Sequence, residues 1–534
     1  MAVLPSPEAQ SRQAGLPTPN STHSYWHRDP SKTLLGHRTT PDLPVTADVV
    51  VIGSGISGAF AARELTAGGR RVVMLEAREA CWGATGRNGG HCQPAVWDSA
   101  AEVARFELAT FALVRDLVAA HGIPCDWRVV GGVHAIYAPE VLAAARRQID
   151  RLQAHPDLRD KAALLTDPDE LAQRRVPAAL AAVFQPNAAK LWPYKLVAWV
   201  LESLLAAHPA DAFNLQTNTP VTRLSRRRGG GGGGSSSPPS SPSSSSSSSS
   251  YRWVVHTPRG DIAARDVLLA TNGYTSHLVP ALSDVIVPVR GQICALEPPP
   301  SSGDPETQQL PHSYVWTRDA SDQYLVHRGA DDTQVGADEP GTGTGMGTGT
   351  TPDRSLILGG ERFAAPGGEE GVYADDAVDP RIGAALRRAL YGAVRLRPDG
   401  EEGGEEEVLR ATYEWTGIMG YSRDGRPWVG QVPAALEPPD TTAAEAEEAE
   451  AEAEAGDGHG GLWISAAFTG HGMPVAPRCG IAVAEMILGR SGGAGAVEVP
   501  AAWTPSAERA AGARLMELPR TLEDLLRSLP AVEE

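Results

Sequence analysis

The sequence predicts an α/β protein, α+β overall, with one layered strand-and-helix unit drawn from distant chain segments and a second unit built on an antiparallel sheet. Three observations predict it. A short apolar strand (48–52), an amphipathic helix (56–68) and a second strand (71–76) succeed one another directly. The same strand-then-helix order returns late in the chain, at 461–468 and 475–490. Between these regions, 286–296 and 312–328 read as extended strands, the latter folded at a polar turn. Further helices are expected at 100–121, 139–153, 194–207 and 375–394, and strands at 253–258 and 266–272.

Composition narrows the function classes. The 534 residues suffice for several domains, and 42% hydrophobic with 21% charged residues is ordinary for a soluble protein. The net charge of −18 argues against nucleic acid and anionic membrane surfaces as partners, although part of it sits in the Glu/Ala run inside 433–461. Cys81, Cys92, Cys125, Cys294 and Cys479 form no CxxC pair, so neither a disulfide framework nor a metal site is expected. A reducing compartment fits that usage. No run is apolar enough to span a membrane and no signal-peptide pattern opens the chain, so a cytoplasmic location is the expectation. Segments 226–250, 336–352, 399–407 and 433–461 are Gly-, Ser-, Thr- or Glu-rich and can bury little; they read as loop expansions.

The sharpest signal is chemical. Gly53, Gly55 and Gly58 form G-x-G-x-x-G directly after a strand and at the start of a helix, and Glu76 ends the next strand. Gly53 permits the tight turn, Gly55 lets a pyrophosphate approach the backbone, and Gly58 lets helix and strand pack closely. The first helical turn, with Ile56 and Ser57, offers free N–H groups and the positive end of the helix dipole. Glu76 can accept hydrogen bonds from a ribose 2′-OH and would repel a 2′-phosphate; Ala77 and Arg78 continue that contact. The pattern predicts a Rossmann-like site for an adenine dinucleotide, and by itself does not choose between FAD and NAD.

The loop after Glu76 makes that choice. Gly-Ala-Thr-Gly-Arg-Asn-Gly-Gly (83–90) replaces the strand an NAD-binding unit would use. Here the chain resembles the D-amino-acid oxidase (DAO) family of FAD enzymes, and more closely its branch of amine oxidoreductases similar to gamma-glutamylputrescine oxidase. Six further segments carry the resemblance in order: SYWHRD (24–29), NTPVTRL (218–224), LLATNGYTSHLVP (268–280), VPVRGQI (287–293), YEWTGIMGYSRDGRPWVG (413–430) and the strand–turn–helix of 461–487.

The resemblance implies a FAD-binding domain of the DAO/glutathione-reductase type from 45–95, 205–285 and 410–490, and an antiparallel-sheet substrate domain from 96–204 and 286–409. Residues 1–44 would be an N-terminal extension and 491–534 a tail. It implies FAD contacts at Gly86, Arg87, Asn88, Gly89, Val221, Thr271, Asn272, Gly273, Gly470, His471, Gly472 and Met473, beside the fingerprint residues. The helix starting near Val475 would set its positive end against the flavin pyrimidine ring. Arg87 would lie against flavin or pyrophosphate, and Asn88 would tie its own loop together.

Arg290 is either a substrate-side arginine or half of a structural ion pair. Tyr324 and His327 face opposite sides of one strand, so at most one lines the pocket. Lys195 reads as a packing or pairing residue. His91 and Cys92 raise covalent flavin attachment, but noncovalent FAD is the expectation. The implied reaction oxidises the C–N bond of a small-molecule amine or amino acid to an imine, with O2 taking the electrons to give H2O2. The alternatives are a dehydrogenase with another acceptor, an NAD enzyme, and a non-catalytic flavin-binding protein.

Overall fold

A computed structural model describes residues 13–226, 251–299, 309–318, 321–329, 354–397, 408–438 and 460–530. Most of the four expected loop expansions therefore lie outside the described residues.

Apolar runs at 49–52, 72–75 and 267–269 demand burial on both faces, as central parallel strands do. Thr46–Ile52 pairs in parallel with Val72–Leu75 on one side and with Gly260–Leu269 on the other. Phe213–Gln216 and Leu462–Ala466 extend this parallel core outward. An antiparallel flap, Arg223–Arg226 with Trp253–Thr257, and the strand Trp428–Gln431 complete an eight-stranded sheet. The chain leaves Thr46–Ile52 for a neighbour on one side and returns on the other. Such a switch point opens a crevice at the carboxyl ends of the strands.

Helices Ile56–Ala67 and Ala476–Ile487 pack against each other over this sheet. Their approach depends on Gly480, where an added Cβ would stand 2.2 Å from the carbonyl oxygen of Ser57. Helices Ala101–His121 and Pro193–Ala207 bury Phe106, Phe111, Leu196 and Leu201 in the same core. Both fall in the stretch expected to form the second unit, 96–204. Pro193–Ala207 instead packs beside Ile56–Ala67 and Phe213–Gln216, and Ala101–His121 packs against Ala476–Ile487.

A second eight-stranded sheet runs Ala411–Ser422, Ile286–Leu296, Leu356–Gly359, Ser321–His327, Ser313–Arg318, Gly132–Ile136, Ala181–Gln185, Ala163–Leu165. All its pairings are antiparallel except Ser313–Arg318 against Gly132–Ile136. Ala411–Ser422, expected in the dinucleotide unit, pairs along Ile286–Leu296 and so belongs here. Of the helix expected over 375–394, only Pro380–Leu386 is α-helical; Asp379 accepts from Arg381 N at its start, and Gly392 at φ +71° lies beyond its end.

The N-terminal stretch is no loose extension. Tyr25 and Trp26 are buried, and Trp26 Nε1 donates to Asn88 O at 2.6 Å. No helix among the described residues is long and apolar enough to cross a membrane.

Candidate functional site

One cavity opens at the switch point and runs from the parallel sheet to the antiparallel one. Its wall begins with Ile52, Gly53, Gly55, Ile56, Ser57, Leu75, Glu76, Ala77 and Arg78. Gly53 adopts φ +105°, and a Cβ there would lie 2.6 Å from Ala270 O. Gly55 caps the helix without a side-chain acceptor, so first-turn N–H groups border the cavity; only Ile56 N is taken, by Thr85 Oγ1 at 3.1 Å. Glu76 is held ready: Oε2 accepts from Ser54 N at 3.1 Å and Ser54 Oγ at 2.7 Å, and Oε1 accepts from Arg78 N at 3.0 Å. Each oxygen keeps capacity for another donor. The cradle fits a dinucleotide with free ribose hydroxyls.

The wall continues through Thr85, Arg87, Asn88, Gly89, Val221, Thr271 and Asn272. Asn88 bridges its loop, donating to Thr85 O at 3.1 Å and accepting from Gly90 N at 2.8 Å. Asn272 Oδ1 accepts from Ala467 N at 3.1 Å, which binds this loop to the C-terminal turn. Val221 comes after a left-handed turn at Asn218 (φ +50°) and precedes the strand Arg223–Arg226.

Gly58, Gly86, Gly273 and Arg290 do not reach the wall. The three glycines serve packing: a Cβ would meet Gly53 O at 2.1 Å, Cys81 O at 2.1 Å and Met419 O at 2.7 Å respectively. Arg290 pairs with Glu369 and donates to Ala374 O, which decides for the structural ion pair over the substrate-side arginine.

Arg87 differs from its expected role. Nε donates to Trp82 O at 2.9 Å, Nη1 to Thr416 O at 2.7 Å and Thr22 Oγ1 at 3.2 Å, and Nη2 to Ser21 Oγ and to Thr22 O at 2.6 Å. All five donors are engaged. Nε also lies 3.6 Å from Asp375, the carboxylate that Arg78 grips at 2.9 Å. Burial lowers the Arg87 pKa to about 10 against the opposing pull of Asp375. Arg87 and Arg78 thus act as clamps between the N-terminal stretch, the glycine loop and the second sheet.

At the other end the wall comes from His91, Gln93, Gly291, Ile293, Tyr324, Gly417, Ile418, Met419, Phe468, Gly470, His471, Gly472 and Met473. The Tyr324 ring lies where a Cβ on Gly89 or on Gly359 would come within 2.5 Å or 2.3 Å of it. His327 turns away and accepts from Leu310 N at 3.0 Å. Lys195 pairs with Asp29 at 2.7 Å over the Trp192 ring. Cys92 is buried, its thiol pushed up by burial and then by Glu107. Burial holds His91 down to about 4, reinforced by His471.

Five buried polar atoms of wall residues have no hydrogen-bond partner among the described residues: Arg78 Nε, His91 Nδ1, Gln93 Oε1, Tyr274 OH and His277 Nε2. Unsatisfied polar groups at such depth await a ligand or water. The sequence reading missed Gln93 and Tyr274 as individual contacts. It missed Gly15, Leu16 and Pro17 as well, which place the N-terminal stretch on the wall. It also missed Glu107, whose Oε2 meets His471 Nε2 at 2.8 Å. A signal existed: Glu107 is a lone acid on the buried stripe Phe106, Thr110, Phe111, Val114 of its helix.

Comparisons with known proteins agree with this geometry. Residues 48–486 match the family described as DAO, FAD dependent oxidoreductase. A stretch of 94 residues is 32% identical to the probable oxidoreductase OrdL of Haemophilus influenzae, covering 15% of this chain and 22% of that protein. The match thus spans about a fifth of that relative's length. Among solved structures, glycine oxidase from Geobacillus kaustophilus aligns with a TM-score of 0.59 at 17% identity, covering 87% of this chain and 99% of that one. L-proline dehydrogenase from P. horikoshii gives 0.57 at 19% identity, over 87% and 98%. Iminodiacetate oxidase from Chelativorans sp. BNC1 gives 0.55 at 18% identity, over 86% and 98%. At these identities the likeness is one of fold.

Proposed function

Because the chain belongs to the DAO family of FAD-dependent oxidoreductases, we propose that it oxidises the C–N bond of a small-molecule amine or amino acid to an imine. The observation that carries the reading is the continuity of the cavity, which joins the Gly53–Glu76 cradle to an end walled by Tyr324, His91 and His471. Bound FAD supplies the two-electron acceptor for this oxidation. Glu76 would accept from the adenosine ribose, and the open turn at Gly55–Ser57 would meet the pyrophosphate. Tyr324, Gln93 and His91 would position the amine, and the apolar wall of Ile293, Ile418 and Phe468 would keep water from it.

His91 is held neutral by burial, and its Nδ1, which has no partner among the described residues, is open to a hydrogen bond with the substrate. FAD is noncovalent in this reading, since the Cys92 thiol is buried and held protonated. The branch is the one resembling gamma-glutamylputrescine oxidase, with O2 as the final acceptor, in the cytoplasm. Five free cysteines support the reducing setting.

The test is an anaerobic reduction screen. Purified protein is mixed with polyamines, gamma-glutamyl amines and amino acids while the visible flavin absorption is monitored. Bleaching by one of these classes, then recovery in air with H2O2 released, is the expected result. Bound FAD that none of them reduces sinks the proposal; recovery only with a quinone or electron-transfer protein replaces O2 as acceptor.

A further inference from the structure

Glu107 is 2% exposed and sits in the middle of helix Ala101–His121, an expensive place for a carboxylate. Two donors hold it: Ala95 N at 2.7 Å and His471 Nε2 at 2.8 Å, both on Oε2. No arginine or lysine among the described residues pairs with it, so His471 is its counter-ion. The His471 ring lines the cavity with 43% of its side-chain surface open, and its Nδ1 bonds to no described residue. The other strong cations of the wall, Arg78 and Arg87, are gripped by Asp375 and by backbone carbonyls.

We infer that Glu107 is a positioning residue: by accepting a hydrogen bond from His471 Nε2–H it keeps that ring an imidazolium and turns the Nδ1–H into the cavity as a donor for a negatively charged group. The inference rests on the proposed FAD site for its partner, and on geometry alone for the pair. The anionic chemistry has two sources, negative charge developing on the bound flavin ring or a carboxylate of the substrate.

The groups facing His471 agree with this charge. Burial works against protonation, but Glu107, by charge and hydrogen bond, outweighs it with help from Asp98 and Asp322, raising the imidazole to about 9. Neutral His91 stands on the adjoining wall, and the Tyr421 hydroxyl approaches Gly470. Asp98 is itself pushed up by burial, so Glu107 is the dominant partner.

The test uses the full FAD-loaded protein with Glu107→Gln, Glu107→Asp and His471→Asn. Sulfite affinity reports stabilised negative charge at the flavin, and affinity for a carboxylate competitor such as benzoate reports the substrate side. At pH 8, about a 10- to 100-fold loss is expected in one of the two for Glu107→Gln and His471→Asn, with Glu107→Asp restoring most of it. In the unmodified protein the same affinity should fall as pH rises through about 9. Both affinities unchanged in a Glu107→Gln protein that keeps its FAD would overturn the inference. Should the variants not fold, or the chain bind no FAD, imidazole 15N signals of the unmodified protein decide: two protonated nitrogens on His471 at pH 8 support the inference, and a neutral ring overturns it.

Discussion

The two ends of the cavity are built differently. The dinucleotide end is mostly backbone from one stretch, Ile52 to Gly89, shaped by glycines and a single carboxylate. The far end is assembled from five separated segments, His91–Gln93, Gly291–Ile293, Tyr324, Gly417–Met419 and Phe468–Met473. A cradle shaped by a local motif tolerates change except at its glycines and at Glu76. A wall of side chains from distant strands can be retuned one residue at a time. Cofactor identity is thus written locally in this chain, whereas substrate choice is written in tertiary contacts.

Substitutions can break that contrast. Arg87→Ala should have the largest effect on stability, about 3–5 kcal/mol, because it removes the buried donors to the carbonyls of Thr22 and Thr416 and leaves Trp82 O to Arg78 alone. Denaturant unfolding measures it, and KM in the protein that remains folded should hardly move. A large KM change with normal stability would instead place Arg87 at the substrate.

Gly58→Val should cost about 1–3 kcal/mol and abolish FAD retention, since a Cβ there meets Gly53 O at 2.1 Å. FAD content after gel filtration and the thermal midpoint report both. Glu76→Ala should lower FAD affinity about 10- to 100-fold with folding intact, read by flavin fluorescence titration. At the far end, Tyr324→Phe should shift turnover or KM while stability stays within about 0.5 kcal/mol. If it empties the protein of FAD instead, the division between the ends is wrong.

The smallest effect is pH dependence, and it has two signs. His471, raised to about 9, binds more protons folded than unfolded between its ordinary value near 6.5 and 9, so its stabilisation is complete below 6.5 and is lost as pH rises through 9. His91, lowered to about 4, binds fewer protons folded, so stability should fall as pH drops from about 6.5 towards 4. Unfolding free energies across pH for His471→Asn and His91→Asn should each lose one slope and keep the other.

Legibility in the sequence runs along the same division. The fingerprint, the helices at 56–67, 101–121 and 476–487, and the strand 286–296 were readable because their patterns are local. The sheet membership of Ala411–Ser422 was not, since it depends on a partner more than a hundred residues away. Short strands such as Ala181–Gln185 and Leu356–Gly359 carry too few residues to show alternation. The clamp made by Arg87 was not legible, because its five acceptors come from Ser21–Thr22, Trp82 and Thr416. The Glu107–His471 pair spans 364 residues, and only the buried-stripe position of Glu107 hinted at it.

The most direct test of the central claim, that the Gly53–Glu76 cradle holds FAD, is the flavin content of the purified full chain beside its Glu76→Arg variant. The account predicts equimolar FAD, released intact on denaturation, and a variant that folds but is colourless because a guanidinium replaces the carboxylate at the ribose. A colourless unmodified protein, or a Glu76→Arg protein that retains FAD equally well, would contradict it.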